Sequence, residues 1–258
     1  MNNKWFTYID REFMPDSHET GSMKAWWLTH RSLAKTGESR RGGKNEFLII
    51  NEWIAANIGW YLRLPVPPFS IMRKSKSSPR YFASVDFGGK SRKPTDMRAQ
   101  AFCKYLRKEA SEVLVFDILI GNPDRHEGNL KVDSPARPTS FEVFDHDQAL
   151  LGDRGIKRLD VIKDRLGLTL KLRTSGDFHK FAEHIPSVIE LKLALQKIES
   201  IPPEFIQAVC NEAVSFGLTK TEAKAVTNFL VERKTNIGKM IHLNRSFFSA
   251  ISDWELFL

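Results

Sequence analysis

Cysteine is scarce in this chain: Cys103 and Cys210 are two lone residues with no CxxC spacing. That argues against a disulfide framework and against a structural zinc site, and it fits a reducing cytoplasm. Long hydrophobic runs are also missing. No stretch of about 18 uncharged apolar residues occurs, so a membrane span is not expected. The opening Met1-Asn2-Asn3-Lys4-Trp5-Phe6 lacks an apolar segment followed by a small-residue cleavage site. A cytoplasmic location is therefore expected rather than secretion. Neither an internal repeat nor a low-complexity tract interrupts the sequence. Acidic residues are the minority charge, 31 Asp and Glu against 39 Lys and Arg, which leaves a net charge of +8.

What is present describes an ordinary folded protein. The 258 residues are 41% hydrophobic and 27% charged, enough for a substantial core in one large domain or two lobes. The basic surplus favours acidic partners: nucleotides, nucleic acid, or proteins that carry nucleic acid. Part of it is concentrated in Arg73, Lys74, Lys76, Arg80, Lys90, Arg92 and Lys93, opposed only by Asp86. Such a run reads first as a solvated loop around a short strand, and second as a docking surface for an anionic substrate.

The first half has strand and turn character. Met23–Thr29 is short, aromatic and preceded by Gly21-Ser22, as a strand after a turn should be. Arg31 to Lys44 is polar and glycine-containing, a loop around a short element. Phe47–Tyr61 carries apolar residues at helical spacing, and Leu64-Pro65-Val66-Pro67-Pro68 forces an extended exit. Phe69–Met72 and Arg80–Val85 read as two further strands. From Met97 to Ile120 helical periodicity runs almost throughout, and beyond Gly152 the sequence is mostly helical. Pro186–Glu199 and Pro203–Phe216 both start with proline near a first turn. Thr219-Lys220-Thr221-Glu222 is a capping-box pattern opening a helix that extends to about Ile241. The expected architecture is α+β and bilobal: a small strand-rich N-lobe, residues 1–92, and a larger helical C-lobe, residues 93–258.

The chemistry is concentrated in Gly121-Asn122-Pro123-Asp124-Arg125-His126-Glu127-Gly128-Asn129 and Phe144-Asp145-His146. An Asp, an Asn five residues on, and a second Asp sixteen residues later behind an apolar run form the oxygen set that Mg-dependent phosphoryl transfer requires. Oxygen ligands suit Mg²⁺, which keeps much of its water and takes one or two protein carboxylates. Asp124 is the candidate catalytic carboxylate, with Asn129 and Asp145 the candidate metal ligands. Asn-Pro-Asp alone is an ordinary turn, and it is the added Arg125, His126, Asn129 and Asp145 that single it out. Arg125 and His126 complete the catalytic group as shaping residues. Arg125 is expected to pair with a carboxylate or loop carbonyls, and His126 to pack and bond a carbonyl. His146 and Asp147 either position the Asp145 loop or form the turn after it.

These segments resemble the catalytic and metal loops of the HipA-like serine/threonine kinases, relatives of the phosphatidylinositol 3- and 4-kinases. Asn51-Glu52-Trp53-Ile54-Ala55-Ala56 with Leu64-Pro65-Val66-Pro67 looks like that family's first long helix and its exit. Gly21-Ser22-Met23-Lys24 resembles its glycine-containing nucleotide loop. Ile201-Pro202-Pro203-Glu204 and the Arg233 helix are similar to its C-terminal helical part. The resemblance implies a bilobal kinase using ATP and Mg²⁺. It gives Asp124 the role of catalytic base, Asn129 and Asp145 the metal, and Glu52 the helix carboxylate that pairs with a phosphate-binding lysine. Lys35 fits the order of parts for that lysine, with Lys24 and Lys44 as rivals. Gly21 and Ser22 would reach the phosphates, and Ser22 is placed to be a self-phosphorylation site. Some members of the family are toxins that inactivate aminoacyl-tRNA synthetases and are restrained by a DNA-binding antitoxin. The implied partners are thus a protein substrate, associated with nucleic acid, and an antitoxin-like regulator. Two other readings stay open: a kinase for a lipid or small molecule, and a non-catalytic basic module that binds nucleic acid.

Overall fold

The strand content of the first half comes from short segments that gain stability only by pairing. The computed structural model describes residues 13–14, 27–28, 32–37, 44–73, 75, 79–85, 95–96, 98–162 and 179–257. Strands β1 (Phe13–Met14) and β2 (Trp27–Leu28) form an antiparallel pair. Strands β3 (Ser32–Lys35), β4 (Phe69–Arg73) and β5 (Arg80–Val85) form an antiparallel sheet in the order β3-β5-β4. In its register Lys35 lies opposite Phe82. The β4 and β5 segments are where the sequence predicts them.

Helix α1 (Leu48–Tyr61) lies between that sheet and the helical part, and this is why so much of it is apolar. Ile50, Ile54, Ala55, Ala56, Ile58 and Gly59 are all buried. It ends with Arg63 in the left-handed region (φ 59°), after which the proline-rich exit runs back past the helix. Gly59 permits that return, because a Cβ there would lie 2.7 Å from Val66 Cγ2. The exit then donates geometry to the site: the Pro65 carbonyl accepts from Val143 N–H (3.0 Å) in the strand that leads to Asp145.

The long helical stretch after Met97 is divided. Helices α2 (Ala99–Tyr105) and α3 (Arg107–Leu119) meet at Leu106, whose φ −123° and ψ 54° are not helical. The break lets Phe102 stack on Phe181 and meet Phe141 edge-on, while α3 runs separately through the core. Strands β6 (Thr95–Asp96), β7 (Leu130–Val132) and β8 (Phe141–Val143) form a second three-stranded sheet, antiparallel throughout. Helices α4 (Ile156–Ile162), α5 (Val188–Glu199), α6 (Pro203–Glu212) and α7 (Lys220–Leu243) complete the C-terminal part. Helix α5 begins two residues later than its proline suggests. Ser187 is the cap, its Oγ accepting from Ile189 N–H at 3.0 Å, so Pro186 stands before the helix. Pro203 does occupy the first turn of α6.

The chain is therefore α+β, with small antiparallel sheets in its N-terminal part and a helical C-terminal part. Helix α7 carries the expected capping box: Glu222 N–H donates to Thr219 Oγ1, and Thr219 N–H donates to Glu222 Oε2 at 2.9 Å. Thr219→Ala should cost about 0.5–2 kcal/mol of stability, read as a lower denaturation midpoint with an unchanged denaturant slope.

Candidate active site

Helix α3 delivers the chain into the Asp124 loop, and Asp117, a carboxylate buried inside that helix, organises the loop. Gly121 makes the turn with φ 59°, where a Cβ would come within 2.5 Å of Ile162. Asn122 is fully buried. Its Nδ2 donates to Asp117 Oδ1 (2.9 Å), while its Oδ1 accepts from Asp124 N–H (3.2 Å). From the other side Asn129 Nδ2 donates to the Asp124 carbonyl (2.8 Å). The amide is planar, so this bond turns the Asn129 side-chain oxygen away from that carbonyl. The Asp124 backbone is thus clamped by two asparagines, with its carboxylate half-buried.

Arg125 is completely buried and holds the two halves of the site together. Its Nε and Nη2 form a bidentate pair with Asp117 (2.8 and 3.0 Å). Its Nη1 donates to the carbonyls of Asn129 (2.6 Å) and Phe144 (2.9 Å). One guanidinium therefore fixes the backbone at Asn129 and immediately before Asp145. A bidentate fork suits this task in a way a lysine could not. His179 Nε2 lies 3.0 Å from Asp117 Oδ2. Burial opposes ionisation of Asp117, but Arg125 and His179 more than offset it and hold the carboxyl well below the usual range.

The cationic centre is Lys35. Its Nζ lies 2.5 Å from Glu52 Oε1 on α1 and 2.6 Å from Asp145 Oδ1. Burial alone would lower the Lys35 pKa, yet the charges of Asp145, Glu52 and Asp147 raise it above its ordinary value, so it stays an ammonium. Glu52 is buried as well, and the Lys35 charge overcomes that burial to keep it ionised. His146 is buried against Glu52 (Nδ1 to Oε2, 3.3 Å) and edge-on to Phe116. Asp145 itself takes φ 64°, a left-handed conformation that Asp tolerates better than most residues. Asp147 is pushed up to about 7 by burial and then by the charge of Asp145, with Glu52 and Asp124 adding to it and Lys35 opposing.

The structure thus brings Lys35, Glu52 and Asp145 into direct contact, and ties Asp124, Arg125 and Asn129 into one hydrogen-bonded loop. The rival Lys44 is exposed and pairs with Glu46 at 3.3 Å. Lys24, Gly21 and Ser22 lie outside the described residues. His126 differs from expectation. It is exposed rather than packed, and its Nδ1 accepts from Gly128 N–H (2.9 Å) instead of the ring bonding a carbonyl. The loop closes so tightly there that a Cβ on Gly128 would meet the imidazole at 2.8 Å. Asp117 and His179 are site residues that the sequence does not announce. The signal for Asp117 is a lone carboxylate inside the apolar run Val113–Ile120, a place where an unpaired charge is costly. His179 carries no comparable signal.

Among the described residues no group of three or more His, Cys, Asp or Glu forms a ready metal cage. Mg²⁺ does not need one, since it takes few protein oxygens and completes its shell with water and phosphate. The donor set fits it. Asn129 and Asp145 offer hard oxygens, and the carboxylates of Asp145 and Asp124 are near enough to Asp147 to add, after burial, to its raised pKa.

Residues 41–164, just under half of the chain, match the family model for HipA-like kinases. That stretch contains both loops and α1, so the resemblance read from the motifs is shown where the motifs lie, and the match supports a kinase function. No curated protein matches the chain. The crystal structure of the Helicobacter pylori proinflammatory kinase CtkA is similar, with 15% identity and a TM-score of 0.57 over 92% of this chain and 96% of that one. At that identity the likeness establishes a shared fold. HipA of Shewanella oneidensis MR-1, solved with HipB and its operator DNA, aligns at 12% identity. Its TM-score is 0.44, over 98% of this chain and 69% of that chain.

Proposed function

We propose that this chain is an ATP- and Mg²⁺-dependent kinase that transfers the γ-phosphate to a Ser or Thr hydroxyl of a protein. The observation that carries this reading is the ammonium of Lys35 held between Glu52 and Asp145, beside a loop that presents Asp124 and Asn129. Phosphoryl transfer passes through a loose transition state, so positioning and charge neutralisation dominate. Bound Mg²⁺ would supply neutralisation of the phosphate charge, held by Asp145 and the side-chain oxygen of Asn129. Lys35 pairs with the α- and β-phosphates, and Glu52 keeps it aimed there. Asp124 orients the acceptor hydroxyl and takes its proton as the new P–O bond forms and the bond from the γ-phosphorus to the β,γ-bridging oxygen breaks, with ADP leaving. Arg125 and His126 shape the loop rather than touch substrate. Gly21 and Ser22 approach the phosphates in the same proposal, and the lobes divide near residues 92 and 93.

The resemblance in the catalytic loop extends the proposal to a toxin restrained by an antitoxin-like protein, acting on a nucleic-acid-associated target. The net charge of +8 supports an acidic or RNA-bound target. Incubation of purified protein and a cell lysate with γ-labelled ATP tests the reading directly. Label on protein Ser or Thr that disappears with EDTA supports it. Label confined to phosphoinositide vesicles would move the function to a lipid kinase, and no Mg²⁺-dependent label on any acceptor would overturn it. Lys35→Met should raise the KM for ATP by about 10- to 100-fold, the worth of a charge-assisted contact.

A further inference from the structure

Helix α1 supplies not only Glu52 but also Asn51, which is completely buried. Its side-chain hydrogen bonds all run to the segment after Asp145. The Nδ2 donates to the carbonyls of Asp147 (2.8 Å) and Gly152 (3.2 Å), and the Oδ1 accepts from Leu151 N–H (3.2 Å). Both amide donors and the oxygen are used. Asn45, just before the helix, donates to the same Asp147 carbonyl (3.1 Å). Helix propensity does not account for an asparagine here. Its neighbours on α1 are Ile50, Ile54, Ala55 and Ile58, and Asn is a poorer helix former than any aliphatic core residue without β-branching. A local choice that opposes its own element marks a tertiary demand.

The demand is visible in the loop. Asp145, Leu150 and Gly152 all have positive φ, at 64°, 45° and 52°. Non-glycine residues persist in such conformations only where their surroundings hold them. Asn51 bonds within this stretch, two residues beyond Asp145 and on either side of Leu150.

We propose that Asn51 is a positioning residue that fastens the Asp145 loop to α1, so that the Lys35–Glu52 pair and the metal-ligating carboxylate are set in one geometry. The inference rests on the kinase reading above. It assigns to one buried amide the coupling between the phosphate-binding cation and the metal ligand. Glu52 and Asn51 are adjacent on the same helix, so any shift of α1 moves the Lys35 partner and the metal loop together.

The test uses the full chain and two variants. Asn51→Asp preserves shape and the acceptor for Leu151, but turns an anion toward two carbonyls. Asn45→Ala removes the second donor to Asp147, together with the acceptor for Phe47 N–H (3.1 Å) just before α1, and leaves the buried core intact. Binding of the non-hydrolysable β,γ-imido analogue of ATP is titrated by calorimetry with and without Mg²⁺. The Mg²⁺ concentration giving half-maximal enhancement should rise about tenfold in Asn51→Asp and about threefold in Asn45→Ala, with metal-free binding within about twofold of wild type. Hydrogen exchange of the ligand-free protein should quicken at Ala149 to Gly152 in both variants and not at α7. Val226→Ala, a cavity in α7 far from this loop in sequence, serves as the control for a general loss of stability and should leave the Mg²⁺ dependence unmoved. Wild-type Mg²⁺ dependence in both variants would overturn the inference while leaving the kinase reading intact. A wild-type protein that binds the analogue with no Mg²⁺ enhancement would overturn both.

Discussion

Asp124→Asn should lower the rate of phosphate transfer by about 10²- to 10⁴-fold, the usual contribution of a positioned general base. Nucleotide affinity should barely move. The substitution retains the atoms that anchor the loop, since the Asp124 N–H donates to Asn122 Oδ1 and its carbonyl accepts from Asn129 Nδ2. What is lost is the negative charge of the carboxylate and with it the capacity to take a proton. The expected signature is a fall in kcat with the KM for ATP close to wild type, a separation that marks loss of an interaction made in the transition state. Melting temperature should stay near that of the wild-type protein, because the residue is half-buried and both backbone anchors survive the change. Steady-state kinetics with γ-labelled ATP decides the matter. A variant that turns over at the wild-type rate would remove Asp124 from the chemistry and direct attention to Asp147 instead.

Arg125→Met has the largest expected effect on stability, about 3–5 kcal/mol, because it strands a buried carboxylate that was paired. Asp117 would keep Asn122 and His179 but lose its bidentate partner, and the carbonyls of Asn129 and Phe144 would lose their common donor. Urea denaturation should show the midpoint falling steeply. The double variant Arg125→Met with Asp117→Leu should recover part of the loss, since removing both charges leaves no unpaired ion from this pair in the core. A double variant that is as unstable as the sum of the singles would show that the two residues act independently. Acid probes the same pair a second way. The Asp117 carboxyl binds its proton more weakly in the folded chain than in the unfolded one. Its contribution is therefore complete above the unfolded value of about 4 and is lost as pH falls from there through the lower folded value. Asp117→Asn should flatten stability against pH in that acidic range and leave the neutral range with the same slope.

The Asp124 and Asp145 loops were legible as one candidate site because their residue types have no cheaper explanation when taken together. Asn122, Asp124, Arg125, Asn129 and Asp145 lie in two short stretches, and the local spacing already limits what they can reach. The same is true of α1, of strands β4 and β5, and of the capping box at Thr219, where periodicity and end signals are local properties. Lys35 was different. Ser32-Leu33-Ala34-Lys35 is a poor strand by composition, and it becomes one only by pairing with Arg80–Val85 across the sheet. Its rank above Lys44 followed from chain order in the sequence and from contact with Glu52 and Asp145 in the structure. The division of the helix at Leu106 was also hidden, since both halves share one hydrophobic period.

What the residues determined unaided was the chemistry on offer: two carboxylates, an amide oxygen and a cation, on a chain that favours acidic partners. Only the packed molecule decided which cation meets which carboxylate, and that buried Asp117 and Asn51 hold the loops in place. The reason is one of range. Spacing along a chain governs groups within a few residues of each other, whereas Lys35 with Asp145, or Asn51 with Leu151, are separated by a hundred residues or more and meet only because the core places their backbones side by side.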